Sequence, residues 1–267
     1  MLGKLMKYEF RSVGRIMLPL YGAWLVISLL FGLVINKLQE LTLINVITGL
    51  LYGAVTAVAL VLTLILIIQR FYKNLLGQEG YLMFTLPVTT GRHIWNKTIS
   101  AAVWFVLAGI VALVSVGFIS IWSVTPSAIL KGIGMFFSDV SHSVGAGGTV
   151  LLTIEVIALV LLIGGEAALK IYAAIAIGHQ WSSHRIIGAV GAYIGLSILE
   201  VIVINIVFWI RNFTPPSFND FMDSLIPSQQ FAAAQIMIGI LALIAAIPAA
   251  VYYIVTYKLL DTRLNLE

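Results

Sequence analysis

Six long apolar runs, approximately residues 16–35, 43–68, 99–124, 150–177, 186–210 and 231–257, occupy most of this chain and leave it little choice of solvent. Each reaches or exceeds the roughly 20 residues that a helix rising about 1.5 Å per residue needs to cross hydrocarbon about 30 Å thick. Composition agrees. With 61% hydrophobic and only 10% charged residues, the chain has too little polar surface to cover a globule in water. The longest cytoplasmic interruption, Gln69 to Thr98, is itself partly apolar, so residues 1–267 read as one all-α, six-span membrane domain.

Basic residues fall on alternate sides of these runs. Lys4, Lys7, Arg11 and Arg15 precede the first span, and Arg70, Lys73, Arg92 and Lys97 follow the second. Arg185 follows the fourth span, and Lys258 and Arg263 follow the sixth, so eleven of the fifteen Lys and Arg residues lie on one side. Lys37, Lys131 and Arg211 are all that the other side carries, and Lys170 lies within a span. The positive-inside rule therefore puts both termini in the cytoplasm. The net charge of +4 has the same origin, which makes it a topology signal and not a sign of nucleic-acid binding. No small-x-small cleavage pattern follows the first run, so it reads as a retained span. The absence of cysteine excludes disulfides and thiolate metal sites.

Residues 1–15 have a helical period. Lys4, Lys7, Arg11 and Arg15 fall within roughly 80° of one another, opposite Leu2, Leu5, Met6, Phe10 and Val13. The pattern predicts an amphipathic interfacial helix, with Pro19 bending the chain into the first span. Glu9 points into the apolar face, where a lone carboxylate is costly; a cation from a cytoplasmic loop or a partner is expected to match it.

Residues 70–97 form the most informative connection. Gly77 and Gly80 end the second span, Tyr81 to Leu86 is too apolar for a free loop, and Pro87 breaks regular hydrogen bonding. Thr89 or Thr90 is placed to cap a helix running through Ile94 and Trp95 into the third span. A short apolar helix at the cytoplasmic surface must be covered, either by lipid or by a soluble partner.

The run Gln78-Glu79-Gly80-Tyr81-Leu82-Met83-Phe84-Thr85-Leu86-Pro87-Val88-Thr89, with Ile94 and Lys97, resembles the E-x-Y-L-x-x-x-L-P-V-[ST] segment of ABC-2 type transporter permeases. The likeness is to small Gram-positive bacterial permeases linked to antimicrobial-peptide export or resistance. Lys7-Tyr8-Glu9-Phe10-Arg11 is similar to the opening of the same proteins. The resemblance implies a bacterial plasma-membrane subunit that pairs as a homodimer or heterodimer and docks on a soluble ABC ATPase. That partner would bind the ATP and magnesium, and this chain would hold no cofactor. It implies that Glu79, Gly80, Leu86, Pro87, Val88, Thr89 and Arg92, with Glu9, lie at or beside the ATPase coupling surface. The loop containing His179, Trp181, His184 and Arg185 would be the second cytoplasmic contact, although these residues fit interfacial anchors as well. Residues 211–230, with Pro215, Pro216 and Pro227, would hold short re-entrant helices at the external mouth.

No G-x-x-x-x-G-K-[ST] loop, H-E-x-x-H metal site or G-x-S-x-G elbow occurs, so the chain carries no motif for nucleotide or covalent chemistry. Charges within the spans are the remaining candidates. Glu155, Glu166 and Lys170 share one face of the fourth span, and Glu166 and Lys170 form an i,i+4 pair expected to neutralise itself. Glu200 has no basic neighbour within four residues and sits close to mid-membrane. Glu200, Glu155 and Glu166 are therefore candidates for the substrate path or a gate. The expected function is export of an amphipathic peptide, drug or lipid-like molecule. The alternatives are an ion-coupled secondary transporter using the same carboxylates and a non-transporting scaffold or regulatory subunit. Between Thr125 and Thr149 a surface helix is expected near Ala128 to Phe137.

Overall fold

Every one of the six apolar runs becomes a helix in the computed structural model, which describes residues 2–37, 42–77, 88–122, 125–181, 184–211 and 227–262. They are α1 (Leu2–Lys37), α2 (Thr42–Phe71), α3 (Thr90–Ser120), α4 (Pro126–Gly178), α5 (Arg185–Arg211) and α6 (Pro227–Thr262). A π-helical turn, Tyr72–Leu76, extends α2. All six helices are long and apolar enough to cross a membrane, which is the architecture of a multi-pass membrane protein. Among the described residues there is no strand. Lipid is the one solvent in which backbone groups must all be satisfied within the segment, and a helix does that.

The chain divides into two units, residues 1–70 with 103–137 and residues 71–102 with 138–267. In the first, α1 buries a seam of Val13, Met17, Tyr21, Trp24, Ser28 and Phe31. The spacing of three and four residues keeps one face turned inward along the whole helix. Trp104 of α3 packs beside Phe10 and Tyr21, with ring centroids 6.4 and 6.1 Å away. The Tyr21 hydroxyl donates to the Trp104 carbonyl at 3.2 Å. Phe31 stacks on Tyr52 of α2 at 5.3 Å, and the Trp122 indole N–H donates to the Leu29 carbonyl at 3.1 Å. Buried Ser28, Thr63 and Ser115 satisfy their hydroxyls by donating to carbonyls of their own helices.

The leader is not a separate element: α1 runs unbroken from Leu2 through Pro19 to Lys37. Pro19 removes only the bond to the Arg15 carbonyl and lies on an exposed side of the helix. The buried seam passes it on the opposite side, from Met17 to Tyr21, and carries the helix through. Lys4, Lys7, Arg11 and Arg15 are exposed, while Glu9 is buried with the apolar face, as its position on the helical wheel demands.

In the second unit the first turns of α3 pack against α4 through small residues, with Gly164 close to Ala102 and Gly165 close to Thr98. Phe71 stacks face to face on Tyr172 with centroids 3.9 Å apart, and the Tyr172 hydroxyl donates to the Lys97 carbonyl at 3.3 Å. The end of α6 lies beside the start of α3, where the Thr90 hydroxyl donates to Asp261 at 3.3 Å and Trp95 meets Tyr253 at 5.5 Å. The α2–α3 connection and the end of α6 therefore share a side, as the charge distribution requires.

The helix expected near Ala128 to Phe137 is longer than its sequence signal. It is the first limb of α4, residues 126–144, joined to the spanning limb 146–178 at Gly145, where φ is 77° and ψ 163°. Only glycine occupies that backbone region without strain. Gly145→Ala should cost about 1–2 kcal/mol, read as a lowered thermal midpoint of the purified protein. The neighbouring Gly147→Ala should not, because it has a helical backbone and open space around it.

Candidate functional site

A charged cluster joins three helices of the second unit. The Lys170 ammonium of α4 forms an ion pair with the Glu200 carboxylate of α5, the two side chains being 14% and 21% exposed. The Tyr252 hydroxyl of α6 donates to the same carboxylate oxygen at 3.4 Å. Tyr193 closes the group, its ring centroid 5.5 Å from the ammonium. One turn before Lys170, Glu166 turns in a buried carboxylate oxygen that has no hydrogen-bond partner among the described residues.

This arrangement corrects two sequence expectations. The Lys170 ammonium makes its ion pair across to α5, not with Glu166 one turn earlier on α4. Glu200 is not unmatched: it is one half of a pair that ties α4, α5 and α6 together. The physical reason is the cost of ions out of water: a carboxylate held between apolar helices gains more from one direct cation than a helix surface gains from an i,i+4 contact. Thirty residues separate the partners, so no local window reveals them. Glu155, eleven residues before Glu166, is about 16 Å further along α4. It also has a buried oxygen without a partner among the described residues, outside the cluster.

At the base of the α2–α3 connection the structure describes Val88, Thr89 and Arg92, whereas Glu79, Gly80, Leu86 and Pro87 lie outside the described residues. The Thr89 carbonyl accepts the backbone N–H groups of Arg92 and His93 at 2.9 and 3.4 Å, so Thr89 opens α3 as expected. Thr89 and Arg92 are exposed. Both stems of the connection are buried: Asn74, Leu75 and Leu76 on the π-helical turn, and His93, Ile94, Asn96 and Lys97 on α3. Lys97, counted among the cytoplasmic surface cations, is only 3% exposed. Sequence reasoning did not single out this polar base. Its signal was present, because His93, Asn96, Lys97 and Ser100 recur at i, i+3, i+4 and i+7 and so lie on one face of α3.

His179, Trp181, His184 and Arg185 lie on or beside the short connection between α4 and α5, with Trp181 and His184 exposed. His179 meets Tyr72 edge-on at 6.1 Å, at the base just described. Trp181 folds its ring against Gly188 of α5, where an added methyl would come within 2.1 Å of it. His184 starts α5 by accepting the Gly188 N–H at its carbonyl, 2.9 Å. No group of three His, Asp or Glu residues able to hold a metal occurs among the described residues. Beside Glu9, Arg70 of α2 donates to the Ser12 hydroxyl and so brings a guanidinium to the same face of α1.

Compared with protein-family models, with curated proteins and with solved structures, the chain matches none.

Proposed function

We propose that this chain is the membrane-spanning permease subunit of an ATP-binding-cassette exporter, which moves an amphipathic peptide, drug or lipid-like molecule out of a bacterial cell. A separate ATPase supplies the work by docking on residues 70–97. One observation carries the reading: the two stems of that connection are buried in the same unit as the spanning limb of α4, α5 and α6. A push on the connection is therefore delivered to packed helices and not lost in a loose loop. The resemblance of residues 78–89 to the ABC-2 permeases supports the same reading, as do the six spans. In it, both termini are cytoplasmic, the exposed stripe of Lys4, Lys7, Arg11 and Arg15 faces the anionic inner leaflet, and two copies or a related permease complete the pathway.

The rival, an ion-coupled transporter, is favoured by the charged cluster, because Glu166 turns in a carboxylate oxygen without a hydrogen-bond partner among the described residues one turn from the Lys170–Glu200 pair. The two are separated by co-purifying the chain with a candidate ATPase and measuring ATP-dependent transport in vesicles. Substitution of Pro87 or Thr89 should release the ATPase and abolish coupled turnover at unchanged permease yield. Transport driven by a proton or sodium gradient with no ATPase bound would overturn the exporter reading.

A further inference from the structure

The first limb of α4 has a surface that the six-span architecture does not use. At about 100° per residue, Leu130, Ile133, Phe136, Phe137, Val140 and Val144 fall within about 120° of one another. Ser127, Lys131, Ser138 and His142 take the opposite side. Leu130 is 70% exposed and Phe136 64% exposed, so the protein itself leaves this arc largely uncovered.

Chain connectivity says what covers it. Residues 126–144 make a helix about 28 Å long. Gly145 alone separates it from the spanning limb, which continues with exposed apolar Val150, Ile154 and Ile157. At its other end only five residues join Pro126 to Ser120, the end of α3, and they reach at most about 20 Å. Consecutive spans place the end of α3 and the start of the spanning limb on one face of the membrane. A limb standing straight out from that face would carry Pro126 farther than its tether allows, so the helix is held near the interface along its length.

We propose that residues 126–144 form an in-plane helix seated in the lipid surface where α3 ends, its apolar arc in the acyl boundary and its serine-rich side in water. The partner is the lipid itself. Lys131 and Asp139 cancel, so seating depends on apolar burial and not on anionic headgroups, in contrast to the basic start of α1. The inference rests on the chain being a membrane protein and is independent of what it transports. Gly145 supplies the change of direction that a helix turning from the surface into the bilayer needs.

The absence of cysteine makes the test direct. Single cysteines at Leu130, Ile133, Phe137, Lys131, Ser138 and His142 of the full chain are spin-labelled and reconstituted in phosphatidylcholine vesicles, with and without an anionic lipid. Collision with dissolved oxygen and with a water-soluble nickel chelate is then measured. The ratio of oxygen to nickel accessibility should be several-fold higher at 130, 133 and 137 than at 131, 138 and 142, and unchanged by the anionic lipid. Equal nickel access at all six positions would place the limb in water and overturn the proposal. Labels at 130, 133 and 137 that are immobile and closed to both reagents would also overturn it, by showing that protein covers the arc. A ratio that collapses without anionic lipid would refute the apolar seating.

Discussion

Replacing Lys170 with alanine should destabilise the protein by about 3 kcal/mol, because among the described residues it leaves the Glu200 carboxylate between helices with only the Tyr252 hydroxyl hydrogen-bonded to it. Truncating one partner of a buried pair costs more than the pair itself contributes, since the surviving ion keeps its desolvation penalty. Thermal or denaturant unfolding in a mild detergent reads the loss. The second substitution identifies the partner. Lys170→Ala with Glu200→Gln should recover most of the lost stability, as the remaining group is neutral and still hydrogen-bonds Tyr252. Lys170→Ala with Glu166→Gln should not. Recovery by Glu166→Gln instead would mean that the pairing runs along α4 after all. The first of these double variants also bears on mechanism: an exporter should tolerate the neutral Lys170→Ala, Glu200→Gln pair, and an ion-coupled carrier should stop.

Gly178→Ala should be as damaging, at about 3 kcal/mol. A methyl group there would lie 2.2 Å from the Ala189 nitrogen and 2.5 Å from its Cα. Both are backbone atoms, so no rotamer change relieves the clash and α4 and α5 must separate. Gly195→Ala on α5 is the control. Nothing lies within 4 Å of its added carbon, and the substitution removes a flexible residue from a helix, so it should be neutral or stabilising by up to about 1 kcal/mol. If both variants unfold at the wild-type midpoint, the close approach of α4 to α5 is not what holds that turn.

These two sites mark where sequence reading stops. Glu166 and Lys170 sit four apart and suggest each other, whereas Glu200 offers no sign of a cation thirty residues upstream. A local window sees spacing along one helix and cannot see which helix lies across from it. Gly178 reads as the opening of a polar loop, GHQWSSHR, although it ends a packed helix; only the neighbour's position makes its missing side chain necessary. Pro19 reads as a bend between two elements, yet a seam of buried residues on the opposite side of α1 carries the helix through it. The polar base of α3 was legible in part: His93, Asn96, Lys97 and Ser100 repeat with helical period, but a polar face beside charged loop residues reads as solvated until packing shows it buried.

What the sequence determined alone is that six long apolar segments each form a helix able to cross a membrane. That follows from hydrophobic length and charge, which act residue by residue against a bilayer of given thickness. Tertiary structure decided which charges pair, which glycines are contacts and which polar faces are hidden. Those depend on the few ångströms between helices distant in sequence, where the cost of an ion without a partner, or of one methyl group too many, is settled by whatever stands opposite.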